Sequence, residues 1–172
     1  MPMSDGVCLS CRRTRPVSPC EVCFEEVCSN CEHFLGASTF SFLKEVPSEL
    51  SHSHYCQGCY DSKVEPALES YRETMKRAEK VYVFFTSQRK SLPVLRRSKE
   101  KISVEKCEDR DETILRLAFF AAQQDYNAIL ETDVASVKVR DAGYEHKVWR
   151  GSALPVQVDA EKVERFTRQG RI

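Results

Sequence analysis

Four short stretches decide the reading of this chain: CLSC (Cys8–Cys11), CEVC (Cys20–Cys23), CSNC (Cys28–Cys31) and CQGC (Cys56–Cys59). Two residues between cysteines let a tight turn aim both sulfurs at one metal ion, and two such pairs complete a tetrahedral shell. Four pairs therefore predict two structural zinc ions per chain, each held by four thiolates. They use eight of the nine cysteines, with gaps of eight, four and twenty-four residues between successive pairs. Disulfides are the competing use of cysteine, but nothing here suggests export. The N-terminus lacks the basic-then-apolar run of a signal peptide, and cysteines with only two residues between them bridge one another only with strain.

Charge separates the chain into two parts. Residues 1–62 carry four Lys/Arg and eight Asp/Glu, whereas residues 63–172 carry twenty-two and eighteen. A net charge of −4 on the cysteine-rich part makes it a poor trap for phosphate, which argues against nucleic acid and against a phosphoinositide membrane surface. No apolar run approaches the roughly 18 to 20 residues that span a bilayer. The expectation is a soluble cytoplasmic protein, where thiols stay reduced and available to metal.

Within the first part, RRTRP (Arg12–Pro16) is the one basic cluster and reads as a solvated loop, with anion or acidic-peptide contact as the alternative. Phe24 and Val27 are expected to fill the small core between the metals, with Glu25 and Glu26 in water. The 24-residue insert from Glu32 to Tyr55 carries Phe34, Leu35, Phe40, Phe42, Leu43, Val46 and Leu50. That is too much apolar surface for a floppy linker, and the portion STFSFLKEV (38–46) reads as a strand. His33, His52 and His54 are possible ligands, but eight cysteines already satisfy two sites, so they read as surface or hydrogen-bonding groups.

Val64, Leu68, Tyr71, Met75 and Ala78 recur at helical spacing and predict a linking helix over 63–80. VYVFFTS (81–87) then reads as a buried strand. The basic stretch 88–101 reads as an exposed loop, and ISVEK (102–106) as a strand with Ile102 and Val104 inward. Asp109 with Glu112 announces a helix, buried along Ile114, Leu117, Ala118 and Ala121. The following AILETDVASVKVR predicts one long strand, with Ala135, Val137 and Val139 on one face. DAGY (141–144) is a turn with Gly143 at positive φ, and HKVWRGSALPVQV returns as its partner, with Gly151 and Pro155 marking a bulge or edge. Trp149 lies in that strand as core or as part of an exposed face. AEKVERFTRQGRI predicts a short helix or tail. Residues 81–172 thus form a ββαββ domain, one helix against an antiparallel sheet. His146 is its one histidine and Cys107 its one cysteine, the latter a packed residue, and no Gly-rich phosphate loop follows a strand.

The order of the four pairs, with only four residues between the second and third, resembles a cross-brace zinc finger. The all-cysteine ligand set and the helix straight after the last pair look most like FYVE-type fingers. The resemblance implies that Cys8, Cys11, Cys28 and Cys31 make one site, and Cys20, Cys23, Cys56 and Cys59 the other. It does not extend to lipid: PVSPCEVC (Pro16–Cys23) stands where such fingers carry their basic motif. The C-terminal half, in FFAAQQDYNAILETDVASVKV and WRGSALPVQV, resembles small bacterial YbjQ-like domains, which implies a possible homo-oligomer through 81–172.

The expected fold class is α+β: a two-zinc cross-brace finger (1–62), a linking helix (63–80) and an α+β domain (81–172). The expected role is a non-catalytic interaction or adaptor protein with a protein partner. Three rival readings are a phosphoinositide-binding membrane module, a ubiquitin-ligase-like finger with a groove formed by Phe40, Phe42 and Leu43, and a PHD-like peptide reader. In the last, the acidic finger would suit a basic tail, and Tyr55 or Tyr60 could contribute to a cage.

Overall fold

The computed structural model describes residues 4–87, 92–141 and 143–169. The chain divides into two compact units, Met1–Arg72 and Glu73–Ile172. Strands β1 (Ser4–Val7), β2 (Thr14–Pro19) and β3 (Glu26–Cys28) form an antiparallel sheet in that order at the start of the first unit. Its core is Val17 and Val27, buried among Cys8, Cys20, Cys28 and Cys56. Phe24 does not share this core as expected: it is 76% exposed, because its backbone turns outward at a φ of 63°. From Thr14 onward the basic cluster is strand rather than loop.

The insert folds back as expected, but as turns. Two-residue strands β4 (His33–Phe34) and β5 (His54–Tyr55) pair at its base. Between them Thr39, Ser41 and Leu43 donate to the carbonyls three residues back, at 3.0, 3.1 and 3.0 Å. The strand expected over 38–46 does not form, since among the described residues no neighbour offers it a ladder, and winding brings Leu35, Phe40 and Leu50 onto one cluster. Tyr55, fully buried, anchors the insert: its hydroxyl donates to Glu49 O at 3.1 Å and accepts from His52 N at 3.2 Å. The chain then enters the short helical turn α1 (Gln57–Cys59), a π-turn over Tyr60–Val64, and helix α2 (Glu65–Ala78). Val64 and Leu68 close the insert's core, and Ala78 continues the buried stripe.

The second unit is a mixed five-stranded sheet, not an antiparallel one. Strand β6 (Tyr82–Phe85) lies parallel to β9 (Ala128–Asp141), half-buried at the sheet margin rather than fully buried. Part of the basic stretch read as a loop is strand β7 (Val94–Arg97); residues 88–91 lie outside the described residues. Strand β10 (Tyr144–Val158) pairs with β9 along its length and, on its other side, with β7 and with β8 (Ile102–Cys107) in succession. Ile102 and Val104 face inward as expected. Pro155 is therefore not at an edge strand. Its carbonyl accepts from Ser98 N at 2.9 Å, and its missing N–H falls where β8 gives way to β7, so no ladder bond is lost.

Helix α3 (Arg110–Gln123) starts at the N-cap Asp109, whose carboxylate accepts from Glu112 N at 2.7 Å, while the Glu112 carboxylate accepts from Glu108 N at 2.6 Å. Residues Leu117 to Ala122 are all buried. Gly151 lets α3 approach: a Cβ there would lie 2.8 Å from Thr113 Cγ2 and 3.1 Å from Leu117 Cδ1. A second helix, α4 (Ala160–Arg168), puts Val163 into a cluster with Ala128, Val156 and Val158 on the opposite sheet face. The C-terminal segment, read as a short helix or tail, is thus a helix, and from β6 onward the order is βββαββα in three layers, where the ββαββ reading packed one helix on the sheet. The β9–β10 hairpin closes with Gly143 at a φ of 89°, as expected. Ala135, Val137 and Val139 alternate onto one face of β9, where Val137 is half-buried and Ala135 and Val139 are exposed. Among the described residues no helix is long and apolar enough to cross a membrane.

Candidate metal centres

The eight paired cysteines converge in two groups. Cys8, Cys11, Cys28 and Cys31 form one and Cys20, Cys23, Cys56 and Cys59 the other, with the sulfurs of each group within 4.8 Å of one another. Pairs one and three thus share a centre, as do pairs two and four.

Each centre joins one hairpin knuckle to one helical turn. In the first knuckle Arg12 N donates to Cys8 O (2.9 Å) and Cys8 N to Arg13 O (3.1 Å); the second repeats this with Phe24 N to Cys20 O (2.9 Å) and Cys20 N to Glu25 O (2.9 Å). Reversing the chain this tightly puts the residue after each second cysteine in the left-handed region, Arg12 at 59° and Phe24 at 63°. The helical turns complete the sets. Glu32 N bonds to Cys28 O (3.0 Å), and Tyr60 N to Cys56 O (2.9 Å) at the entry to α1.

The geometry fits a metal and excludes a disulfide. A tetrahedral site with metal–sulfur bonds of about 2.3 Å sets its sulfurs about 3.8 Å apart. Cys11 and Cys28 Sγ are 3.8 Å apart, and Cys23 and Cys56 Sγ 3.7 Å. A disulfide needs about 2.05 Å. Backbone N–H groups also point at sulfur, from Cys28 to Cys8 Sγ and from Cys59 to Cys56 Sγ, both at 3.4 Å.

Backbone N–H groups and burial act in opposite directions on the thiols. The Cys11 N–H foremost holds the Cys8 thiol down at about 6, against the opposing effect of burial. Burial pushes Cys20 up, but N–H groups of Cys23, Cys56 and Val22 outweigh it and bring the thiol to about 7. The Cys28 side chain and then burial raise Cys31 to about 12, and burial raises Cys23 and Cys59. Each group thus holds one thiol drawn toward its thiolate, Cys8 or Cys20, beside at least one pushed the other way.

No histidine joins either centre. His33 Nε2 shares a 2.7 Å hydrogen bond with Gln57 Oε1, and His52 Nδ1 lies 3.6 Å from Glu21. The buried Nδ1 of His54 lies 3.5 Å from Glu32 without a well-aimed hydrogen bond. Cys107 belongs to neither group; it is buried within the second unit, and burial raises its thiol. What the sequence reading missed is the repeat of knuckle and turn: the left-handed residues are Arg and Phe, and no glycine marks the positions. Comparison of the chain with protein-family models, with curated proteins and with solved structures gave no match.

Proposed function

We propose that this chain is a zinc-stabilised, non-catalytic interaction module of the cytoplasm, with two structural zinc ions in a FYVE-type cross-brace. The observation that carries the reading is the pair of four-sulfur groups at tetrahedral separations. Four protein ligands per ion leave no open position for water or substrate, which favours a structural role for zinc. Cys8, Cys11, Cys28 and Cys31 would hold one ion and Cys20, Cys23, Cys56 and Cys59 the other. Metal binding would then supply folding free energy to a small domain.

The rivals are less well supported. A lipid-binding finger lacks its basic motif. A ligase-like groove loses Phe40, buried, and Leu43, half-buried against the same cluster. A peptide-reading cage cannot use the fully buried Tyr55, and Tyr60 stacks on His33 at 4.5 Å. One observation favours a cationic partner for the finger: Phe24 stands exposed beside Glu25 and Glu26, three residues from Glu21.

Native mass spectrometry of the full chain under reducing conditions tests the reading. Two zinc ions per chain, lost together with first-unit amide dispersion on chelation, are expected. Zero or one ion would overturn it.

A further inference from the structure

We propose that the outer edge of β9 takes up an extended peptide of alternating acidic and apolar residues as an added strand. The inference extends the interaction reading but does not depend on zinc.

The edge begins where β6 ends. β6 pairs with β9 from Tyr82↔Ala128 to Phe85↔Thr132, and Thr86 N donates to Thr132 O at 3.3 Å. Past Thr132, among the described residues, no strand lies on that side of β9, while β10 pairs with the other side as far as Asp141↔Tyr144. Backbone groups alternate sides along a strand. The Thr132 carbonyl points outward, so the N–H and C=O of Val134, Ser136, Lys138 and Arg140 do as well. The two-residue turn fixes the same phase from the other end, because its closing pair, Asp141 and Tyr144, bonds inward. Four consecutive outward residues thus offer a ladder.

The ends and faces of this edge select the occupant. A cleft of about 460 Å³ continues the line of β6, lined by Phe85, Thr86, Ser87, Arg110, Thr132 and Val134 among others. Thr132 is only 2% exposed, and its hydroxyl has no hydrogen-bond partner among the described residues. A buried hydroxyl left unmet is costly unless something fills the cleft. Val134 pairs with Gly151, whose Cβ position faces α3, so Val134, Ser136, Lys138 and Arg140 present side chains on the α3 face. Arg110, at the start of α3 with its guanidinium 5.1 Å over the Phe85 ring, flanks the same face. The opposite face offers Ala135, Val137 and Val139. An added strand would therefore set acidic side chains against Arg110, Arg140 and Lys138, the last already 2.6 Å from the Glu145 carboxylate of β10, and apolar ones against the small and branched residues behind. A two-stranded ribbon is marginal in water and gains from a third strand. Lysine and arginine on the edge also oppose pairing with a second copy of the same strand.

The probe is an eight-residue peptide alternating glutamate with valine and threonine, added to the full zinc-loaded chain. The readout is amide hydrogen exchange by NMR. Exchange at Val134, Ser136, Lys138 and Arg140 should slow at least tenfold, with Val137 and Val139 unchanged, and an isosteric peptide carrying lysine for glutamate should have no such effect. Ser136→Pro removes one outward N–H without touching the β9–β10 ladder and should abolish the effect. Lys138→Glu keeps the backbone and should weaken it at least fivefold. Outward amides already protected in the free chain at high dilution would overturn the proposal, as would protection that rises with protein concentration or equal protection by the lysine peptide. Zinc counted in the same samples separates the two readings, since failure here with two ions bound leaves the metal reading intact.

Discussion

Asn127 and Val158 are joined twice: the Asn127 amide donates to Val158 O at 3.0 Å, and its Oδ1 accepts from Val158 N at 2.8 Å. A side chain here makes the bonds that a backbone would make one residue further along. The Asn127 carbonyl also accepts from Tyr82 N at 3.0 Å, so one residue ties β6, β9 and β10 at their common end. Asn127→Ala leaves a partly buried donor and acceptor unmet and should cost about 2–3 kcal/mol. Trp149 is the one tryptophan and lies in this unit, so urea unfolding followed by its fluorescence reads the loss. An unchanged midpoint would mean that water replaces the amide at no cost.

Phe24 carries a left-handed backbone and packs little of its ring, so glycine should suit the position better. Removing the strain of a side chain at positive φ is worth about 1 kcal/mol, partly offset by the freedom glycine brings to the unfolded chain. Phe24→Gly should slow zinc loss to a chelator about twofold, whereas Val27→Gly, in the core between the centres, should speed it. Faster loss from Phe24→Gly would show that the ring has a packing role.

Asp159 caps α4 through the Lys162 N–H at 3.1 Å, and that bond foremost holds its carboxyl below the usual carboxylate range. A depressed carboxyl stabilises the folded form above its ordinary value, and the contribution fades as pH falls through the lowered one. The Lys162 amide resonance should therefore move only below about pH 4, with fraying of α4. Asp159→Asn keeps an acceptor and should abolish that titration. An amide shift in Asp159→Asn that still follows acid would assign the effect elsewhere.

Cys107 is buried, and burial raises its thiol despite the nearby Thr113 hydroxyl. A neutral, covered thiol reacts slowly. Alkylation at neutral pH should find eight cysteines after chelation and the ninth only in denaturant. Rapid modification of Cys107 in the folded chain would contradict this packing.

The parts of this fold that could be read in advance are those whose signal is local. The CxxC spacings, the capping pair Asp109 and Glu112, the stripe from Val64 to Ala78 and the glycine turn at Gly143 each contain their own reason. What escaped depends on partners distant in sequence. Phe40 and Phe42 alternate like strand residues, yet among the described residues no strand stands beside them, and Phe40 is buried by winding onto Val64 and Leu68. Val94 to Arg97 looks like a charged loop until β10 supplies its ladder. Residues Tyr82 to Phe85 read as a buried strand but are half-buried, because their place in the sheet is set by β9, more than forty residues on. At the candidate metal centres the cysteines were visible but their setting was not, since Arg12 and Phe24 occupy turns that glycine usually announces.

The two four-sulfur groups close overlapping loops, one from Cys8 to Cys31 and the other from Cys20 to Cys59, with residues 20–31 belonging to both. Opening either loop frees a segment that the other needs in place, because Val17, Val27 and the first-centre cysteine Cys28 share one core with Cys20 and Cys56 of the second. A half-loaded chain therefore gains little of the order of a fully loaded one. Across a rise in free zinc, the first unit should switch from unfolded to folded over a narrow range of concentration, with a Hill slope approaching two. Such a chain would count ions in pairs, and its exposed surface would exist only above a threshold.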